Sequence, residues 1–321
     1  MKLEMKAKLL MCFAVIACAI PALALKQDPE YRQARHEGAE AKFELRVVDD
    51  DDVPVEGATV KVFMGMNYRE KGYWLNGETN TNGTWVLQGK TCGNEIEIGI
   101  TKDGYYDSNR KMCLATMGAE HEVKDGKWQP WGKEERIVLR KIKQQRPMVK
   151  CSDVFTIPTT NKWLGFDFEL KDWIAPYGKG RLPDIEAYLT WDGNPPTLSK
   201  FVRLDVRFSG AVSGCYFVNK IVESKFKGVY NAVTNDCYET KSLVFHSDKR
   251  DGRHDVKEFD YSKVLVVRTR CKLDDAGNVV SANYSTIRAI LVNGGWDGRG
   301  EMTLRYYYNP TPNDTNLEPK R

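Results

Sequence analysis

Four histidines, His36, His121, His246 and His254, and 44 carboxylates are the side chains with which this chain of 321 residues could move protons. The histidines show no metal-ligand spacing among themselves. His246 and His254 bracket Ser247-Asp248-Lys249-Arg250-Asp251-Gly252-Arg253, and with Asp248 and Asp255 they could form an acid–base cluster. A solvated hairpin loop explains the same residues. Asp49-Asp50-Asp51-Asp52 invites a calcium reading, because hard cations want several carboxylate oxygens. The run lacks alternating D-x-D-x-D spacing and a downstream Glu, and consecutive Asp residues in an extended turn point in different directions. It reads as a solvated turn. No nucleophile elbow, P-loop, dinucleotide fingerprint or H-E-x-x-H is present, and no C-x-x-C pair suggests zinc. No catalytic residue, metal or cofactor is expected. A polysaccharide- or glycoside-active site remains the alternative, since a glycosidase needs only two suitably spaced carboxylates, which sequence cannot select.

Aromatic residues are the other chemistry-bearing signal. Trp173, Trp191 and Trp296 sit at or beside turns in the second half, and Trp128 and Trp131 lie in a polar insertion, Leu114 to Glu135. Gathered at one end of a sandwich, they would stack against sugar rings or a protein partner. Pointing inward, they are core.

The elements that must position these residues are strands. Phe43, Leu45 and Val47 alternate with polar neighbours, and so do Ala58, Val60 and Val62. Thr84–Leu87, Glu95–Ile100, Arg136–Arg140 and, most clearly, Phe201–Phe208 follow the same period of two. Short strands separated by Gly and Asn turns predict an all-β chain of two β-sandwich domains. The second domain continues through Cys215–Val218, Leu243–His246, Lys263–Cys271, Tyr284–Val292 and Glu301–Tyr308, with a short helix near Lys220–Val233. Lys26–Ala41 reads as a mobile lead-in, residues 42–142 as the first sandwich, 143–160 as a linker and 161–321 as the second sandwich. Its tail, Asn309-Pro310-Thr311-Pro312-Asn313, belongs on the surface.

Residues 1–24 read as a signal peptide. Lys6 and Lys8 precede an apolar run that ends at Ala22-Leu23-Ala24, a small-x-small cleavage site. A lipobox at Val15-Ile16-Ala17-Cys18 is the second reading. The run is too short for a confident membrane span, so none is expected after leader removal. Export makes disulfides the expected state of Cys92, Cys113, Cys151, Cys215, Cys237 and Cys271. Proximity favours Cys92–Cys113 and Cys215–Cys237, leaving Cys151–Cys271. The net charge of +4 drops to near +2 without Lys2, Lys6, Lys8 and Glu4, too weak and mixed to imply a nucleic-acid partner.

Val53-Pro54-Val55-Glu56-Gly57-Ala58-Thr59-Val60, Thr79-Asn80-Thr81-Asn82-Gly83-Thr84-Trp85 and Lys102-Asp103-Gly104-Tyr105 together resemble the carboxypeptidase regulatory-like domain. Asn80, Asn82 and Trp85 depart from its usual residues. The resemblance covers about 42–142 and implies a transthyretin-like, Ig-related sandwich that accompanies other modules and supplies no catalytic residue. The segment Asp172 to Gly180 resembles only uncharacterised secreted bacterial proteins. The expected function is an exported, non-catalytic binding or structural protein of the bacterial envelope. It would bind glycans or envelope partners through the aromatic turns of its second domain. A subunit of a surface assembly is a further alternative.

Overall fold

The computed structural model describes residues 28–67, 70–115, 123–194, 199–235, 237–252, 254–294 and 299–320. The leader, His121 and Trp296 lie outside them.

From residue 28 the lead-in folds as a helix running into the first strand. Asp28 accepts a hydrogen bond from Glu30 N, Pro29 opens helix α1 (Pro29–Glu37), and Gly38 ends it at φ 81°. Ala34 is buried, Tyr31 meets Trp128 edge-on with ring centroids 5.9 Å apart, and Arg35 donates to Ala115 O.

Period-two alternation becomes strands throughout. The first sandwich comprises β1 (Ala39–Val48), β2 (Thr59–Met64), β3 (Tyr73–Glu78), β4 (Thr84–Thr91), β5 (Ile96–Thr101), β6 (Ser108–Met112), β7 (Val123–Lys124), β8 (Lys127–Trp128) and β9 (Lys133–Val138). One sheet runs β4-β1-β8-β7, with β9 also parallel to β1, and the other runs β3-β2-β5-β6. Between them lie Phe43, Leu45, Val60, Val62, Ile98, Ile100 and Ile137, all buried.

The second sandwich comprises β10 (Val149–Thr156), β11 (Trp163–Asp167), β12 (Asp172–Trp173), β13 (Ile185–Trp191), β14 (Phe201–Phe208), β15 (Gly214–Asn219), β16 (Leu243–Asp248), β17 (Asp255–Lys257), β18 (Lys263–Leu273), β19 (Val279–Gly294) and β20 (Gly300–Asn309). Its sheets are β10-β20-β19-β18-β15 and β12-β11-β13-β14-β16-β17. In β14, Val202, Leu204, Val206 and Phe208 face the core while Arg203 and Arg207 face water. The chain is all-β, built as two sandwiches.

Three expectations change. Residues 149–156, placed in the linker, are strand β10, paired along its whole length with β20. No helix forms among the described residues of 220–233; that stretch crosses the outer face of the β10–β15 sheet and pairs with the tail. The tail is exposed at 310–312 as expected, but Asn316, Leu317 and Glu318 are buried. A strand pattern could not show this, because the tail docks on backbone groups rather than extending a sheet.

Candidate binding groove at the junction of the sandwiches

Four of the five candidate tryptophans lie among the described residues, and none of the four is exposed. Trp173 is buried in the second core, edge-on to Phe166, its Nε1 donating to Thr156 O at 2.9 Å. Trp128 is 1% exposed in the first core and donates from Nε1 to Thr91 O. Trp191 is half-buried against the second core, so close to β19 that a Cβ on Gly294 would stand 2.8 Å from its Nε1. Trp131 is half-buried under Lys127 Nζ, 5.1 Å from its ring centroid. The one strongly exposed Trp among the described residues is Trp74 on β3, 57% exposed, which the sequence reading missed. Large rings carry the most burial free energy, so Trp128 and Trp173 go inward.

The six cysteines among the described residues are unbridged. Cys151 and Cys271 cannot meet as expected: Cys151 lies in the core between the sheets, whereas Cys271 packs with Tyr284 on the opposite face of the β10–β15 sheet. Burial pushes the Cys151 thiol up to about 11 and the Cys215 thiol to about 12, so neither is reactive at neutral pH. Cys113 and Cys237 are exposed and Cys92 is buried.

The acidic run is solvated at Asp51 and Asp52, as expected, but Asp49 and Asp50 are structural. Asp49 is buried; its Oδ1 accepts from Asp51 N and Val53 N, and its Oδ2 lies 2.5 Å from Lys141 Nζ. Against the cost of burial, Lys141 and these amides hold its carboxyl below the usual range. Asp50 turns toward the second sandwich and Asp52 pairs with Arg136. With each carboxylate aimed differently, no cation is shared, and no group of three or more ligand-type side chains able to hold a metal occurs among the described residues.

A denser cluster lies around the turn that follows Asp167. Arg270, held at φ 53° by a bulge in β18, donates to both oxygens of Asp184 (3.1 and 2.9 Å), to Asp167 (2.8 Å) and to Glu169 (2.6 Å). Asp184, fully buried, also accepts from Thr269 Oγ1 and Phe168 N. Burial raises its pKa, opposed by Arg270. Asp167 is buried too; backbone amides of Arg181, Leu170 and Leu182, then Arg270, outweigh its burial and lower its pKa. This is a carboxylate pair close enough for a glycosidase, but both members are sealed from solvent and committed to Arg270. It pins the 167–184 loop. Of the histidine cluster, His246 Nε2 lies 3.1 Å from Asp255 Oδ2, while Asp248 pairs with Arg250 instead.

The two sandwiches are locked together. Arg140, 4% exposed, donates to Asp50 Oδ1 (2.9 Å) and to the carbonyls of Phe226 and Gly228. Its guanidinium is 4.4 Å from the Phe226 ring centroid and 4.3 Å from that of Tyr230. The Tyr230 hydroxyl lies 2.8 Å from Asp50 Oδ2. Glu318 of the tail, fully buried, accepts from the Tyr106 hydroxyl and from the amides of Lys143 and Gln144. Backbone bonds join the sandwiches as well, from Asn109 N to Glu223 O and from Lys225 N to Asp107 O.

That lock leaves a groove on the outer face of the β10–β15 sheet. One register row, Lys150, Tyr307, Thr286, Val266 and Tyr216, crosses all five strands of that face. The 230–238 segment and Leu317 cover part of it. The remainder opens into a cavity of about 460 Å³ walled by Tyr106, Phe226, Leu317 and Pro319. Lys150, Lys225, Lys227, Arg288 and Lys320 line it, with no carboxylate among its lining residues. It shares Lys150, Arg288 and Tyr307 with a neighbouring cavity of about 310 Å³, which adds Lys220 and Arg305, again without a carboxylate. Lys225 pairs with Asp107; Lys150, Lys227, Arg288, Arg305 and Lys320 make no ion pair among the described residues. Burial, then the charges of Arg288 and Lys227, lowers the pKa of Lys220. Sequence could not show this site, because its cations come from five separated segments.

No protein-family model matches the chain, so the carboxypeptidase regulatory-like resemblance rests on its motifs, and no curated protein matches it. Among solved structures, a 3-chlorocatechol 1,2-dioxygenase from Rhodococcus opacus is 11% identical over 33% of this chain, with a TM-score of 0.25. The match spans 61% of the dioxygenase's own length. A DUF3823 family protein from Parabacteroides merdae is 10% identical over 83% of this chain and 98% of that one, TM-score 0.22. The shaft pilin SpaA from Lactobacillus rhamnosus GG is 11% identical over 76% of this chain and 92% of that one, TM-score 0.22. At such scores none of them carries an argument about activity, ligand or assembly.

Proposed function

We propose that the chain is an exported, non-catalytic binding protein of the cell envelope that holds its ligand in the groove at the junction of its sandwiches. The observation that carries this reading is the groove itself, a concave site in which every lining cation except Lys225, Lys220 included, makes no ion pair among the described residues, while buried carboxylates elsewhere are committed to internal bonds. A site built for binding needs a rigid frame, and Arg140, Asp50 and Glu318 supply one. The first sandwich, with its carboxypeptidase regulatory-like motifs, serves as that frame. The leader pattern at Lys6–Ala24 supports export, and among the described residues no helix is long and apolar enough to cross a membrane. Glycan binding moves from the aromatic turns to this groove.

Affinity electrophoresis of the full chain through gels containing neutral and charged polymers, beside a Lys150→Ala/Arg288→Ala variant, tests the reading. Retention by some polymer that weakens in the variant is expected. If every retained polymer holds both proteins equally, the groove is not the binding site.

A further inference from the structure

Resting on that reading, we infer that the groove takes an acidic polysaccharide, a chain bearing a carboxylate or sulfate on its sugars. The cations do not converge on one point. Lys227 and Lys320 stand at the larger cavity, Lys150 and Arg288 at its junction with the smaller, and Lys220 and Arg305 beyond. A single small anion could satisfy only one of these positions, whereas a polymer with regularly repeated charge meets all three.

The lining is mixed in character. Beside the cations it carries Val264, Met148, Leu317 and Pro319, with the half-exposed Tyr307 ring 5.9 Å from the Arg288 guanidinium. Pyranose rings present C–H faces to such surfaces while their acidic groups point sideways to Lys and Arg. Nucleic acid is disfavoured because base stacking needs several open aromatic faces. Here Tyr106 is 2% and Phe226 6% exposed, which leaves Tyr307 as the open ring shared by both cavities and Tyr261, 43% exposed, at the smaller one. Lys220, already crowded by Arg288 and Lys227, loses that repulsion when an anion enters.

The test titrates the full chain with polygalacturonate and dextran sulfate, each against its uncharged counterpart, methyl-esterified pectin and dextran. Polyglutamate, polyphosphate and a single-stranded oligonucleotide complete the panel. We expect the acidic polysaccharides to bind and their neutral counterparts not to. Affinity should fall about tenfold between about 50 and 200 mM salt, as when two to three anionic groups shed counterions. The variant Lys150→Ala/Lys227→Ala/Arg288→Ala should bind roughly 10- to 100-fold more weakly, three charge contacts being lost. Lys61→Ala/Lys124→Ala/Lys272→Ala, three exposed lysines outside the groove, should bind unchanged and controls for bulk charge. Equal binding of neutral polymers at the groove overturns the acidic class while leaving the binding function intact. Tighter binding of polyglutamate, polyphosphate or oligonucleotide overturns the polysaccharide class. No groove-dependent binding to any member overturns both the inference and the function it rests on.

Discussion

Replacing Arg270 with Met should be among the costliest single changes in the second sandwich. Asp167 would keep its bonds from the amides of Arg181, Leu182, Glu169 and Leu170. Asp184 would not fare as well: two of its partners, Thr269 Oγ1 and Phe168 N, remain, and a fully buried carboxylate loses its counterion. Breaking a buried pair in this way costs about 3–5 kcal/mol. With a urea slope of about 2 kcal/mol/M for a domain of this size, the unfolding midpoint should fall by about 2 M. The pH dependence carries a sign. Burial already raises the folded pKa of Asp184, and removing Arg270 raises it further. A carboxyl with a raised folded pKa takes up a proton on folding, so the variant recovers stability as pH falls toward that value. The deficit relative to wild type should therefore be larger near pH 8 than near pH 5. The Asp184→Asn/Arg270→Met double variant should be less damaged than Arg270→Met alone. Urea titrations followed by fluorescence, with Trp173 in the adjoining core, read all of this. A loss below about 1 kcal/mol, independent of pH, would refute the buried-pair argument.

Further outcomes follow from the same geometry. Arg140→Ala should loosen the junction, costing about 2–4 kcal/mol and exposing 141–148 to limited proteolysis; an unchanged digestion pattern would mean that the lock lies elsewhere. Trp173→Phe leaves Thr156 O without its donor and should lower stability by about 1–3 kcal/mol while polymer retention stays as in wild type; lost retention in a folded variant would restore the aromatic-turn reading. In native protein a maleimide should label Cys113 and Cys237 quickly, and Cys92, Cys151 and Cys215 only after unfolding without reductant. Thiols that stay unlabelled after unfolding would reveal disulfides. Against burial, hydrogen-bond and charge partners lower the pKa of Asp49 and Asp167, which contributes stability above the unfolded carboxylate value and loses it as pH falls through the folded ones. Acidification below about pH 4 should therefore destabilise the chain, and flat stability through that window would contradict the assignment.

What the sequence shows of this protein is what repeats locally. Val202, Leu204 and Val206 alternate because one face of β14 is buried, and both sandwiches are legible from such runs. Gly83, at φ 70°, marks a turn for the same kind of local reason: a Cβ there would stand 2.4 Å from Val47 O. Long-range placement is not legible. Asp49 and Asp50 look as solvated as Asp51 and Asp52 until Lys141 and Arg140, about ninety positions away, are seen to take them. Arg270 gains its reach from a bulge with no sequence signature. The groove draws Lys150 from β10, Lys227 from the 220–230 crossing, Arg288 from β19 and Lys320 from the tail. A net charge of +4 averages that concentration away. Trp128 and Trp173 failed as ligand candidates for the complementary reason, since a turn-flanking position says nothing about which way a ring points.

The most direct measurement is hydrogen–deuterium exchange of the full chain with and without polygalacturonate. Added protection should fall on 225–228, 286–288, 305–307 and 317–320, which meet only at the groove. Protection confined to the turns around Trp173 and Trp191, or absent everywhere, would contradict a binding site at the junction of the sandwiches.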